Sequence, residues 1–319
     1  MFKQFLIRSS GVIAFLLLWE IGPRLAWVDP NFLPSFSTVL MEIGKLFNDG
    51  TLKVHLLVSI WRATTGLLLA LAMGLPLGLL LGRHRLHPAE AIEPLLRVLS
   101  QVNPFTLMPV FILFFGIGET AKVAVVAWVC LWPVLFYTIT ASRHVEAIQI
   151  KTAASMGIST VDMMLKVIVP GALPTIFVGI RIGACLTFYI LVAAEMLGAG
   201  AGLGWLVHNS AMNYLIPRIY AGATFIVVLG FLLNRFLLYL ERALFSWQSN
   251  TPLLFGSAAP PAVLRPGKGL VAAFTGALVL IALLGGIQVQ KINREAATVS
   301  DGPHSHHSET GGHNGHSGF

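Results

Sequence analysis

Charge is scarce in this chain: only 11% of its 319 residues are Asp, Glu, Lys or Arg, where a soluble protein carries roughly a quarter. That shortfall excludes an ordinary water-soluble domain. Cysteine is scarcer still. Cys130 and Cys185 both sit inside apolar runs, where a thiol behaves as a small hydrophobe, so no disulfide framework is expected. Nucleotide and metal-hydrolase motifs are missing too. Without GxxxxGKS or GxxxxGKT the chain has no phosphate cradle and is not expected to hydrolyse ATP itself, and no HExxH is present. The stretch GAGAGLG at 198–204 opens like a dinucleotide loop at Gly198 and Gly200, but Leu203 stands where the third glycine belongs. The net charge of +7 forms no basic patch, because Lys and Arg are dispersed at the ends of apolar runs. That pattern argues for membrane orientation and against nucleic acid.

What the chain has in abundance is apolar sequence, 55% of residues with a mean hydropathy of +0.77. Polar residues gather in short blocks between runs of about 20 apolar residues, the length that crosses the hydrocarbon core. A backbone in lipid must satisfy its hydrogen bonds within the segment, which predicts an all-α, polytopic membrane helical bundle in contact with lipid. Seven spans are expected, at about 10–27, 56–81, 105–116 (extended backwards from 92), 121–140, 172–197, 220–240 and 270–287. The first has no small-residue cleavage site of a signal peptide and reads as a retained helix. Between the first two, an interfacial helix is expected, with Ser37 as N-cap and Val39, Leu40, Ile43 and Phe47 on one face. Gly74, Gly78 and Gly82 recur every four residues, with Gly66 two turns earlier, and offer a smooth face for close helix packing. The glycines at 198, 200, 202 and 204 give an exterior loop unusual backbone freedom. The domain division that follows is a membrane domain at 1–248, a linker at 249–268, an additional membrane helix at 269–288 and a disordered tail at 289–319.

Basic residues set the orientation. Lys3 and Arg8 precede the first span, Arg83, Arg85 and Arg97 follow the second, Arg143, Lys151 and Lys166 follow the fourth, and Arg242 follows the sixth. A cytoplasmic N-terminus places all of them on the cytoplasmic side, with Asp29, Glu42, Asp49 and Glu119 opposite. Parity then puts the C-terminal tail outside the cytoplasm.

One cytoplasmic segment stands out, KTAASMGISTVDMMLKVIVP from Lys151 to Pro170. Ala153 and Ala154 allow a partner backbone to come close, Gly157 permits a turn that a side chain with a Cβ resists, and Pro170, lacking an N–H, is expected to end the second helix of the pair. This spacing of a small residue, a glycine and an apolar-x-apolar-Pro ending resembles the EAA loop of ABC importer permeases. Further blocks stand in the matching order: LPSFSTVL from Leu33, HLLVSIWRATTGLLLALAMGLPLGLLLGRHR from His55, EPLLRVLSQVNPFTLMPVFILFFGIGETAKV from Glu93, GALPTIFVGIRIG from Gly171, AAEMLGAGAGLGWLV from Ala193 and LERALFSW from Leu240. From about 32 to 247 the chain resembles the binding-protein-dependent permeases of nitrate, sulfonate, taurine and related importers. The resemblance implies a type I importer core of six helices in a bacterial inner membrane, with the seventh helix as an addition. It implies an ABC ATPase partner that uses ATP and docks at Lys151, Thr152, Ala153, Ala154, Gly157 and Pro170. It also implies an extracytoplasmic substrate-binding protein, a second permease copy forming a homodimer, and a small anion such as nitrate, sulfonate or taurine as cargo. Three departures are visible: Lys151 replaces the usual Glu that opens the docking motif, Thr152 the Ala after it, and Phe36 the second Pro of LPSPS. The salt bridge of that Glu to the ATPase cannot form here, so the charge of the partner groove is expected to differ.

Ionisable residues inside apolar runs are expensive and are read as functional by default. Arg181 and Glu195, on one helix, are candidates for a polar translocation path, whereas Arg62 is expected to snorkel to the interface. The tail carries His304, His306, His307, His313 and His316 among Ser and Gly, a set able to capture a divalent metal weakly. Two other readings follow from it: an importer of a metal or cofactor precursor whose tail gathers substrate, and a non-transporting membrane sensor or scaffold.

Overall fold

The computed structural model describes residues 2–82, 87–145, 147–245 and 285–290, and among these the secondary structure is helical throughout. The chain runs α1 (Phe2–Arg24), α2 (Phe36–Asn48), α3 (Thr51–Leu81), α4 (His87–Ser100), α5 (Pro104–Phe115), α6 (Glu119–Arg143), α7 (Ala147–Ser155), α8 (Thr160–Met163), a π-helical turn (Met164–Ile168), α9 (Val169–Met196), α10 (Leu203–Met212) and α11 (Ile216–Leu244). Four helical stretches, α3, α6, the run ending in α9, and α11, are long and apolar enough to cross a membrane, and the bent pair α4–α5 would make a fifth.

The core is a three-helix sandwich of α3, α6 and α9, and small residues make it possible. A Cβ on Gly66 would meet Val126, on Gly74 Val134, on Gly78 Thr138 and on Gly82 Ser142. The register advances equally on both helices, so α3 and α6 run parallel with their backbones in close approach, as the glycine spacing predicts. On the other side of α6, Gly179 packs on Tyr137 and Gly183 on Cys130 and Pro133, so α9 runs antiparallel to α6. Ala63, Ala70, Val126, Cys130, Ile190 and Leu191 fill the space between them. The Cys130 thiol lies 2.8 Å from the Thr187 hydroxyl and bonds the Gly183 carbonyl at 3.3 Å, which removes it from any disulfide role. The bundle thus has two ends. The Arg62 end carries α2, the 116–118 turn, the 197–202 loop and α10, and the opposite end carries α4, α7 and α8.

Four expectations need correction. The cap of α2 is Ser35, whose hydroxyl accepts from Thr38 N, while Ser37 instead donates its N–H and hydroxyl to the Glu20 carboxylate of α1 at 2.9 and 3.0 Å. That carboxylate is a stronger acceptor than a helix end needs, and it ties α1 to α2. The buried face of α2 is Val39, Ile43 and Leu46 against α11, and Leu40 and Phe47 are exposed. The helix expected to run backwards from 105 to 92 is instead broken by 94°, because the Asn103 side chain caps α5 and Pro104 supplies no N–H to continue α4. Pro170 does not end a helix. It sits in the first turn of α9, where its missing N–H is tolerated, and the π turn just before it carries the helical path from Thr160 to Met196. The linker, residues 269–284 of the seventh span and 291–319 of the tail lie outside the described residues; 285–290 are helical, so positions 289 and 290, expected in the disordered tail, continue the helix.

Candidate functional site

Arg62 sits on an apolar helix, where an unmatched guanidinium would cost several kcal/mol. The fold matches it from two sides. Glu119, in the first turn of α6, accepts from Nε at 2.5 Å and from the second guanidinium nitrogen at 2.7 Å, and Glu195, in the last turn of α9, accepts from the third at 2.8 Å. The Ala201 carbonyl accepts a further bond at 2.6 Å. Lys122, one turn along from Glu119, approaches it at 3.2 Å, so two cations face two carboxylates. Arg62 and Glu195 are 2% and 0% exposed, which makes this a buried network and not an interfacial snorkel.

The same cluster anchors α10. The N–H of Gly202 donates to His55 Nδ1 at 3.0 Å, that of Leu203 to the Ser59 hydroxyl at 2.9 Å, and that of Gly204 to Glu195 Oε2 at 2.9 Å. Three successive N–H groups, which a helix start leaves without intrahelical partners, are satisfied by side chains of α3 and α9. A carboxylate there also complements the helix dipole. Two glycines are obligatory for this. Gly202 has φ +126° and a Cβ on it would collide with the Glu195 carboxylate, while a Cβ on Gly204 would lie 2.9 Å from that of Glu195. Beside the cluster lies a cavity of about 170 Å³ whose walls include Arg62, Glu119, Lys122, Gly200, Ala201 and Val289.

At the opposite end, the segment singled out by its sequence is a helix–turn–helix. α7 closes with Met156 N on Thr152 O at 3.3 Å and Gly157 N on Ala154 O at 3.1 Å, and Gly157 turns the chain at φ +69°. Nothing lies within 4 Å of a Cβ placed there, so the glycine serves the backbone alone. Ser159 then caps α8 through Asp162 N at 3.1 Å, and Lys166 pairs with Asp162 at 2.8 Å. Lys151, Thr152, Ala154, Gly157 and Pro170 are exposed, whereas Ala153 is buried against the protein itself. Ile148, Met156, Val161 and Leu165 are each more than 60% exposed around this turn. Four large apolar side chains beside a polar loop are what a partner-binding surface presents.

Arg181 and Glu195 are not brought together. Arg181 pairs with Glu241 of α11 at 2.7 Å, about 21 Å along α9 from Glu195, which belongs to the Arg62 cluster. His304, His306, His307, His313 and His316 lie outside the described residues, and among those described no group of three or more His, Cys, Asp or Glu could hold a metal ion. Sequence reading missed His55, Ser59, Glu119 and Lys122. The available signal was Arg62 itself: a cation and a carboxylate, each alone in an apolar run, predict one another as partners.

Comparison with known proteins covers both ends of the bundle. Residues 74–246 match the model of the binding-protein-dependent transport system inner membrane component. The taurine transport system permease protein TauC of Escherichia coli (strain K12) is 33% identical over 76% of this chain and 90% of its own length. An aliphatic sulfonates transport permease protein of Bacillus subtilis (strain 168) is 31% identical over 77% of this chain and 87% of its own, and the nitrate import permease protein NrtB of Synechocystis is 29% identical over 74% and 88%. Among solved structures, the inward-facing MetNI methionine ABC transporter superposes with a TM-score of 0.53 at 18% identity, covering 58% of this chain and 92% of the other. A likeness at that identity speaks for the fold alone.

Proposed function

The chain belongs to the family of binding-protein-dependent transport system inner membrane components, in its nitrate, sulfonate and taurine branch of ABC importer permeases, and from that premise we propose how it works. It forms the membrane path for a small oxyanion and passes the closure of separate ATPase subunits to that path through the α7–α8 turn. The observation that carries this reading is the exposed helix–turn–helix around Gly157, ringed by Ile148, Met156, Val161 and Leu165 at the end of the long helix that becomes α9. Because the π turn joins α8 to α9 without a break, a push on the turn is delivered directly to one of the three core helices.

Nitrate, aliphatic sulfonates and taurine, the cargoes named for three relatives, all present an anionic group with several oxygens. That common chemistry supports a small anion here. Arg181 is our candidate for a contact on the route, since its side chain, paired with Glu241, keeps 16% of its surface exposed, whereas Glu195, about 21 Å away along α9, serves the Arg62 framework. A separate binding protein delivers the anion, a second copy of the chain completes the path, and the N-terminus lies in the cytoplasm.

Gly157→Glu tests the coupling. In proteoliposomes holding the permease and its ATPase, insertion should be normal, but uptake should fall to background and the ATPase should co-purify poorly. A side chain at φ +69° is strained, and a carboxylate in an apolar contact is left unpaired. Wild-type uptake by this variant would remove the turn from the coupling path.

A further inference from the structure

Residues 285–290 lie beyond residue 246, where the family match ends, yet they reach the most charged place in the core. Two successive glycines make the approach. A Cβ on Gly285 would stand 2.5 Å from the Leu57 carbonyl and 2.7 Å from the Trp61 Cβ, and one on Gly286 would stand 2.9 Å from Trp61 Nε1. The helical turn therefore meets α3 backbone to backbone, an approach only glycine allows. One turn further on, Val289 is 5% exposed, packed with Val58, Trp61 and Ala201, and it forms part of the wall of the cavity that holds Arg62, Glu119 and Lys122. Gly285 and Val289 are four residues apart and share one helix face, while Ile287 between them points to the surroundings at 64% exposure.

We propose that residues 285–290 are a built-in cover for one side of the Arg62 cluster, occupying the surface made by Leu57, Val58, Trp61 and Ala201 and shielding that wall of the charged cavity from water. The physical gain is dielectric. Ion pairs strengthen as water is excluded, so an apolar lid over Glu119 and Lys122 stiffens the junction of α3, α6 and α9 with the 197–202 loop. Val289 is placed to do this because it presents only methyl groups to the cavity. The cover does not depend on what the protein carries.

Its test needs neither transport nor membrane sidedness, so its failure is separable from that of the transport reading. The full chain, with exposed Cys185 replaced by Ala and Cys130 left in its buried site, is purified in detergent. First, Val289→Cys with Ala201→Cys should be joined within one chain by a short bifunctional thiol reagent, read by intact mass; no joined product overturns the placement. Second, Val58→Cys on the cavity wall, fully buried beside Val289, reports access through its rate of maleimide labelling. Gly285→Leu/Gly286→Leu should raise that rate at least roughly tenfold, as local opening of a covered site does. Val289→Ser, which keeps the glycines and removes the apolar seal, should raise it by a smaller factor. It decides the question if the leucine variant does not yield a monodisperse protein. Labelling at the unaltered rate in Val289→Ser, or in a well-folded leucine variant, overturns the cover.

Discussion

At the scale of single residues the fold is decided by where charges are placed in apolar helices. Arg62 meets two carboxylates from two different helices, and each of those has a second partner: Glu119 has Lys122, and Glu195 has Ser59 and the N–H of Gly204. Removing the cation therefore leaves two carboxylates, Glu195 fully buried and Glu119 largely so, with Lys122 as their remaining cation. Arg62→Met should cost about 3–5 kcal/mol, seen as a fall of roughly 10 °C in the melting temperature of the detergent-solubilised protein. Glu195→Gln keeps one oxygen for Gly204 and Ser59 but turns its amide NH2 toward the Arg62 guanidinium, donor against donor; because Glu119 still pairs Arg62, its fall should be smaller than that of Arg62→Met. Equal melting of Arg62→Met and wild type would mean that the network is not part of the framework. Arg62 is also where reading from sequence fell short. The sequence gives its cost but not its partners, which lie 57 and 133 positions away.

At the scale of elements, helix pairing was legible because a glycine period needs only one helix to be seen. The four-residue repeat on α3 became the seam with α6, at Val126, Val134, Thr138 and Ser142. A methyl on Gly78 would lie 2.5 Å from the Thr138 Cβ, between two backbones that cannot separate cheaply. Gly78→Ala should destabilise by about 1–3 kcal/mol. Gly230→Ala on α11, where a Cβ meets nothing within 4 Å, should be neutral or stabilise by up to about 1 kcal/mol through helix propensity. Thermal unfolding of the two variants side by side checks the contrast, and a harmless Gly78→Ala would refute the close seam. Helix ends were less legible. Pro170 and Pro104 look alike as residues without an N–H, yet one continues a helical path and the other opens a new helix after a 94° bend. A π turn before Pro170 and an Asn cap before Pro104 make the difference, and both depend on what the neighbouring chain packs against.

At the scale of the whole molecule, the two ends do different work. The Arg62 end is fastened by buried ion pairs and capped N–H groups, and the α7–α8 end exposes apolar side chains, the surface proposed above for the ATPase. With a cytoplasmic N-terminus, Lys151→Cys should be shielded from a membrane-impermeant thiol reagent in spheroplasts and Ser308→Cys should react. Labelling with the opposite sidedness, or on the same side for both, would overturn the assigned topology. The exposed Lys151 adds a test of the partner's charge: if the ATPase groove is acidic there, Lys151→Glu should weaken co-purification at low salt and less so at high salt. Assembly that is unchanged at low salt would show that position 151 stays solvated.

The sequence alone determined the class of molecule, an all-helical membrane protein with a glycine-marked turn at Gly157. Those properties are written in composition, period and local spacing, and a membrane enforces them on any chain that carries them. Tertiary structure alone decided what Arg62, Glu195 and the glycines at 202 and 204 are for. A charge in an apolar run states a need, and only the packing of α3 against α6 and α9 chooses which distant group answers it. The exterior glycine loop shows the same division. Its composition promised freedom, but Gly202 and Gly204 are held fast, because the space that a missing Cβ leaves is filled by the Glu195 carboxylate and the Val192 carbonyl.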